Sequence, residues 1–277
     1  MSPSQDFIEF TLKTDRHSLF AKALPVEQPV AFCCIIHGFG EHCGRYDHVA
    51  MAFAERHINV YLMDLPGHGK SDGKRGNIRA LNDFMLAIDA LMEHGRAENP
   101  QLPYFMYGHS MGGGLLLRYL TLVESPPLAA VVTSPWLKLV HAPGALQIIL
   151  ARMALVLGLN LSQESRLDPE FLSRDLQVGK DYKNDPLTHG KMTPRTFFAM
   201  QDNGNYLLEM QEDFRNPILL AHGMDDQITS STASRKLTKK HQAITFKEWP
   251  DLRHETHNEL NKKAVIAFYL KWLLQKL

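Results

Sequence analysis

Cysteine is scarce in this chain, with three among 277 residues. That is too few for a disulfide framework, and the usage fits a reducing, cytoplasmic setting. Cys33 and Cys34 are adjacent in an apolar run, so a strand there points them to opposite faces; Cys43 is left over. Charge of one sign is lacking as well. Thirty Lys+Arg balance thirty Asp+Glu, so no global positive field marks a nucleic-acid partner. No apolar run is clean enough to span a bilayer: the greasiest stretch, Gly144 to Leu161, is interrupted by Gln147 and Arg152. Met1 to Phe10 carries Asp6 and Glu9 and no apolar core, unlike a signal peptide. Internal repeats and low-complexity tracts are missing too. What remains is ordinary globular composition, 44% apolar and 22% charged, which excludes a disordered or collagen-like chain.

Short apolar runs alternate with helical periods. Ala31 to Ile36, Asn59 to Met63, Pro103 to Tyr107, Leu128 to Thr133, Pro217 to Ala221 and Ile244 to Trp249 read as buried strands. Tyr46 to His57, Met111 to Val123 and Leu260 to Leu277 read as helices. Leu81, Phe84, Met85, Ile88, Leu91 and Met92 keep the 3.6-residue period, with Gly95 and Pro100 as stop signals. Alternation of this kind predicts an α/β fold with a mostly parallel central sheet and helices on both faces. The rhythm breaks from Pro135 to about Pro194, where no strand is evident. An apolar helical stretch, Leu146 to Leu161, is followed there by turn-rich sequence at Asp168-Pro169 and Asp185-Pro186. The expected organisation is a core of residues 1–134 and 195–277, with 135–194 inserted as a helical cap after the strand ending near Ser134.

The strongest chemical signal is Gly108-His109-Ser110-Met111-Gly112. It follows an expected strand and opens an expected helix, the setting a G-x-S-x-G elbow needs. A serine on so sharp a turn takes strained backbone angles, and the flanking glycines relieve crowding. Read blandly, the segment is a Gly-rich turn with an incidental serine; its flanking structure favours a nucleophile. A hydroxyl nucleophile needs a base, and the base an orienting acid, in the chain order Ser, Asp/Glu, His. The strand Pro217 to Ala221 leads into His222-Gly223-Met224-Asp225-Asp226, which offers two acids. The strand Ile244 to Trp249 is followed by His254 and His257, either of which stands where a base is required.

Several motifs together carry a family resemblance. They are His37-Gly38-Phe39-Gly40-Glu41-His42, Arg45-Tyr46, Asp64-x-x-Gly67-His68-Gly69-x-Ser71-x-Gly73, Gly108-His109-Ser110-Met111-Gly112-Gly113 and His222-Gly223-x-x-Asp226. The chain resembles the monoacylglycerol lipase/lysophospholipase family of α/β-hydrolases from about Asp6 to its end. The resemblance implies Ser110 as nucleophile, Asp226 as orienting acid and His254 as general base. It also implies the backbone N–H groups of Phe39 and Met111 as the oxyanion hole. It further suggests Glu41, Arg45 and His257 at the polar end of a substrate pocket.

Other motifs fail on spacing. Gly69-Lys70-Ser71 lacks the P-loop's first glycine, since Asp64 stands in its place, and Gly38-x-Gly40 meets Cys43 where a dinucleotide fingerprint wants glycine. His254-Glu255-Thr256-His257 has one residue too few between its histidines for a zincin helix. The expected chemistry needs no metal or cofactor, no nucleic acid and no obligate protein partner.

The insertion is the part that would meet substrate. Leu146, Ile149, Leu150, Met153, Leu157 and Leu161 share one helix side, with Arg152 opposite. That side either packs on the sheet or roofs an acyl pocket, with Leu150 and Leu157 as candidate wall residues. Spare apolar surface there would touch membranes or micelles transiently. The expected activity is therefore a serine hydrolase cleaving monoacylglycerols or a similar small lipid ester through an acyl-enzyme. A lysophospholipase, a general carboxylesterase or thioesterase, and a non-catalytic binding protein of the same fold are the alternatives.

Overall fold

The computed structural model describes residues 6–165 and 167–277. Residues 1–5, half of the stretch read against a signal peptide, and Arg166 lie outside the described residues. The chain opens with an antiparallel pair, β1 (Ile8–Lys13) and β2 (Ser18–Leu24), followed by β3 (Ala31–Ile36), α1 (Asp47–Ala54) and β4 (Ile58–Met63). Then come α2 (Leu81–Glu98), β5 (Tyr104–His109), α3 (Ser110–Leu122) and β6 (Ala129–Thr133). Next in the chain are α4 (Ala145–Val156), β7 (Gln163–Glu164), α5 (Leu176–Asn184) and β8 (Lys191–Met192). The chain closes with α6 (Pro194–Glu209), β9 (Ile218–Gly223), α7 (Ser231–Lys240), β10 (Ile244–Trp249) and α8 (Lys262–Leu274).

Eight strands form one sheet in the order β1-β2-β4-β3-β5-β6-β9-β10. From β4 to β10 every neighbouring pair is parallel, while β1, β2 and β4 pair antiparallel. All six residues of β3, β4 and β5 are buried, as expected of strands covered on both faces. Cys33 and Cys34 do fall in different cores. Cys34, Phe32 and Ile36 pack with Phe84, Ile88 and Leu116 from α2 and α3. Cys33 and Ile35 pack with Val49, Phe53 and Tyr269 from α1 and α8.

Two readings need correction. Gly95 does not end its helix, since α2 runs on to Glu98. A Cβ on Gly95 would lie 2.9 Å from the Phe32 ring, so the glycine is there for close helix–strand packing. The insertion is also not free of strand, because β7 and β8 pair antiparallel through Gln163–Met192 and Glu164–Lys191.

After β3 the chain fills the β4 side of the sheet, then crosses back to place β5 on the other side. Such a reversal leaves a crevice at the carboxyl ends of the strands. The loops following β3, β5, β9 and β10 all open there.

Candidate active site

Ser110 sits at the junction of β5 and α3 with φ of 53°, a left-handed conformation rare for a side-chain-bearing residue. The turn is tight enough to require both of its glycines. A Cβ on Gly108 would lie 2.7 Å from the Gly112 carbonyl oxygen, and one on Gly112 would lie 2.3 Å from that of His37. The strain points the hydroxyl out of the sheet edge towards the loop after β10. There His254 Nε2 lies 2.9 Å from Ser110 Oγ, and His254 Nδ1 lies 2.8 Å from Asp226 Oδ2. All three side chains are buried. With Nδ1–H donating to the carboxylate, Nε2 is left to accept the serine proton.

Asp226 is held at several points. Its Oδ1 accepts the N–H groups of Ile228 and Thr229 at 2.7 and 3.0 Å, and its Oδ2 accepts the Thr229 hydroxyl at 2.9 Å. His222 Nε2 lies 3.0 Å from Oδ2 and 3.2 Å from the Thr229 carbonyl, so it carries the proton. Burial alone would raise the Asp226 pKa. The facing His254 and the bond from His222 outweigh it and hold the carboxyl well below the usual carboxylate range. Asp225 points away, with its side chain half exposed and 3.7 Å from Arg253 Nε.

For His254, burial disfavours the imidazolium, but the Asp226 carboxylate favours it more, and the pKa is raised. The sign of the pH effect follows. The base accepts a proton only when neutral, so kcat/KM should rise with pH through a limb above the ordinary histidine value of ~6.5. A profile from pH 5 to 9 checks this, and a limb below ~6.5 would contradict it.

Met111 lies in the first turn of α3, where N–H groups have no intrahelical acceptor. Phe39 lies on the opposite loop, after β3. That loop is set by His37, whose Nε2 accepts the Leu65 N–H at 2.9 Å while Nδ1 lies 2.7 Å from the Gly38 carbonyl. Asp64 ties the next loop to it, accepting the N–H groups of Cys43 and Lys70 at 2.8 and 2.7 Å. Tyr182 and His189 seat against the same loop. The Tyr182 hydroxyl donates to the Gly40 carbonyl at 3.1 Å, and the His189 N–H does so at 2.8 Å.

Ser110 and His254 open into a cavity of about 720 Å³. Its walls include Trp136, Ile148, Leu150, Ala151, Ala154, Leu159, Phe171, Phe197 and Phe198. Glu41 and Leu150 line it, as expected of substrate-contacting residues. Three other expected contacts do not. Leu157 follows the end of α4 and is 73% exposed, on the outer side. Arg45 is engaged with Glu41 and Glu255 behind the cavity wall. His257 is fully buried, stacked 4.9 Å from the Tyr46 ring and set edge-on to that of His109 at 4.8 Å. His109, which sequence reasoning passed over, takes the place at the wall. Its Nδ1 lies 2.9 Å from Thr133 Oγ1 and its ring 4.7 Å from that of His254. Burial, reinforced by His254, lowers its pKa well below the histidine norm.

A mostly parallel sheet carrying a strained serine, an aspartate and a buried histidine on the loops after β5, β9 and β10 defines an α/β-hydrolase of the serine ester hydrolase class. The chain belongs to the family described as "Serine aminopeptidase, S33", which matches residues 27–261. It is 32% identical over 259 residues to "Monoacylglycerol lipase" of Mycolicibacterium smegmatis, covering 91% of each chain. An uncharacterized abhydrolase domain-containing protein of Dictyostelium discoideum is 32% identical over 271 residues, and the chain spans 29% of its length. Among solved structures, the monoacylglycerol lipase of Paleococcus ferrophilus superposes with a TM-score of 0.84 at 28% identity, covering 94% of this chain and 99% of that one. Among the described residues, no helix is long and apolar enough to cross a membrane.

Proposed function

We propose that the protein hydrolyses monoacylglycerols to fatty acid and glycerol. Ser110 Oγ attacks the ester carbonyl as His254 Nε2 takes its proton, and Asp226 stabilises the imidazolium so formed. The N–H groups of Phe39 and Met111 receive the developing oxyanion. The proton on Nε2 then passes to the glycerol oxygen as the ester C–O bond breaks, leaving the acyl group on Ser110. Water, deprotonated by the same nitrogen, releases the fatty acid and restores the serine. The observation that carries this reading is the Ser110–His254–Asp226 hydrogen-bond chain opening into a roomy, largely apolar cavity.

The charge of the wall favours a neutral headgroup. Glu41, Glu164, Asp168 and Glu255 line the cavity, and among the described residues no lysine or arginine does. Glycerol suits such a wall, because its hydroxyls can donate to these carboxylates, whereas a phosphate brought beside Glu164 and Asp168 would be repelled. In this reading residues 135–194 are a cap. Ile148, Leu150, Ala151 and Ala154 of α4 face the acyl chain, and the outward Leu146, Ile149, Met153 and Val156 engage micelles or membranes transiently. The test is a hydrolysis panel of monoacylglycerols, lysophospholipids, p-nitrophenyl esters and amino-acid arylamides. Preference for monoacylglycerols supports the reading. Preference for lysophospholipids or arylamides overturns it.

Chain length gives a second test. Each buried methylene is worth ~0.8 kcal/mol, so kcat/KM should climb with acyl length until the cavity is filled. Leu150→Asp should flatten that climb while sparing acetate esters. Leu157→Asp, outside the cavity, should leave the climb intact and blunt only the response to detergent. Equal effects of the two substitutions on the climb would contradict the assigned walls.

A further inference from the structure

Behind the cavity wall a guanidinium is held between two carboxylates. Arg45 Nη1 donates to Glu41 Oε2 at 2.5 Å and to Glu255 Oε1 at 2.7 Å, and Nη2 donates to Glu255 Oε2 at 2.7 Å. The three side chains are only 11%, 3% and 2% exposed, so water cannot readily replace any of these bonds. Each carboxylate is also bound to a loop of the site. Glu41 Oε1 accepts the Gly38 N–H at 2.6 Å and the Tyr46 hydroxyl at 2.7 Å, and Gly38 immediately precedes Phe39. Glu255 immediately follows His254. Its Oε2 accepts from Asn258 Nδ2 at 2.8 Å, and its own N–H donates to the Leu172 carbonyl at 2.7 Å. The guanidinium carbon lies over the Tyr182 ring, 5.1 Å from its centre.

We propose that Arg45 is a positioning residue, a strut that runs through Glu41 to the Gly38–Phe39 loop and through Glu255 to the His254 loop. It sets the spacing between an oxyanion donor and the base. Contact with the glycerol headgroup is a poor use of this side chain, because it does not line the cavity and its donors are taken by carboxylates. The role calls for arginine in particular. A planar fork bridges two carboxylates with fixed geometry, whereas an ammonium supplies the same charge as a point with loose direction. The inference rests on the ester-hydrolase reading above, which wild-type turnover of p-nitrophenyl butyrate tests separately.

The experiment compares wild type with Arg45→Lys on a monoacylglycerol and on p-nitrophenyl butyrate, which has no glycerol. Misplacing reacting groups by ~1 Å costs on the order of 10²-fold, so kcat should fall by about 10- to 100-fold, by the same factor on both esters. KM for p-nitrophenyl butyrate should stay within about twofold, since that ester carries no headgroup to contact the wall carboxylates. Thermal unfolding should remain cooperative. Glu255→Gln, which keeps the shape and removes the charge at the His254 end of the strut, should show the same split. A kcat for Arg45→Lys within about twofold of wild type would overturn the proposal, as would a loss confined to the KM of the glycerol ester. If neither variant folds, the cluster serves stability and the positioning role is lost.

Discussion

Ser110→Ala is expected to fold as the wild type does and to lose ester hydrolysis by about 10⁴- to 10⁶-fold. The small side chain fits the turn, whose positive φ is already imposed by Gly108, Gly112 and the packing of α3 against β3 and β5. Stability should therefore change little, while the hydroxyl that lies 2.9 Å from His254 Nε2 is removed. Initial rates on a monoacylglycerol, with thermal unfolding as the control, check both halves. Near-normal turnover by a folded variant would end the assignment of Ser110 as nucleophile.

Asp226→Asn should cost about 10⁴-fold in kcat, because an amide in place of the carboxylate favours the wrong imidazole tautomer and leaves the imidazolium unpaired. The carboxylate also accepts from His222, the Thr229 hydroxyl and two backbone N–H groups, so its position is fixed more firmly than contact with His254 alone would do. Losing it should also lower the pH limb of any residual activity, since Asp226 is what raises the His254 pKa. Asp225→Asn should behave as wild type, for that side chain faces solvent near Arg253. Steady-state rates of the two variants from pH 5 to 9 separate them, and the reverse ranking would move the acid to Asp225.

The central strands were legible in the sequence because burial on both faces leaves mostly apolar runs, unbroken in β3 and interrupted only by Asn59 in β4 and His222 in β9. The antiparallel β1–β2 pair gave no such run. In Ile8–Lys13 most residues stay partly or wholly exposed, and only Leu12 is buried. The elbow and the acid and base loops were readable because spacing along the chain fixes which strand end each occupies. Choosing Asp226 over Asp225, or His254 over His257, could not come from strand order, since both members of each pair lie on one loop. It took the resemblance to choose, and side-chain direction lies in the structure alone. His257 illustrates the limit. Its distance along the loop from His254 puts it near the site, but stacking on Tyr46 turns it away from the cavity. The apolar stripe from Leu146 to Leu161 was right for Leu150 and Leu161, which line the cavity, and misled for the rest. In a surface helix such a stripe normally faces inward, yet here Leu146, Ile149 and Met153 face out and the small residues Ala151 and Ala154 line the cavity. His109, Thr229 and the Arg45 cluster act through contacts between distant segments, which no local pattern records.

The most direct measurement is to stop turnover of a monoacylglycerol by rapid acid quench and locate the acyl group by mass spectrometry of the digested protein. The account predicts one fatty acyl ester per chain, on the peptide carrying Ser110, formed within the first turnover and absent from Ser110→Ala. Acylation at any other residue, or rapid release of fatty acid by Ser110→Ala, would contradict it.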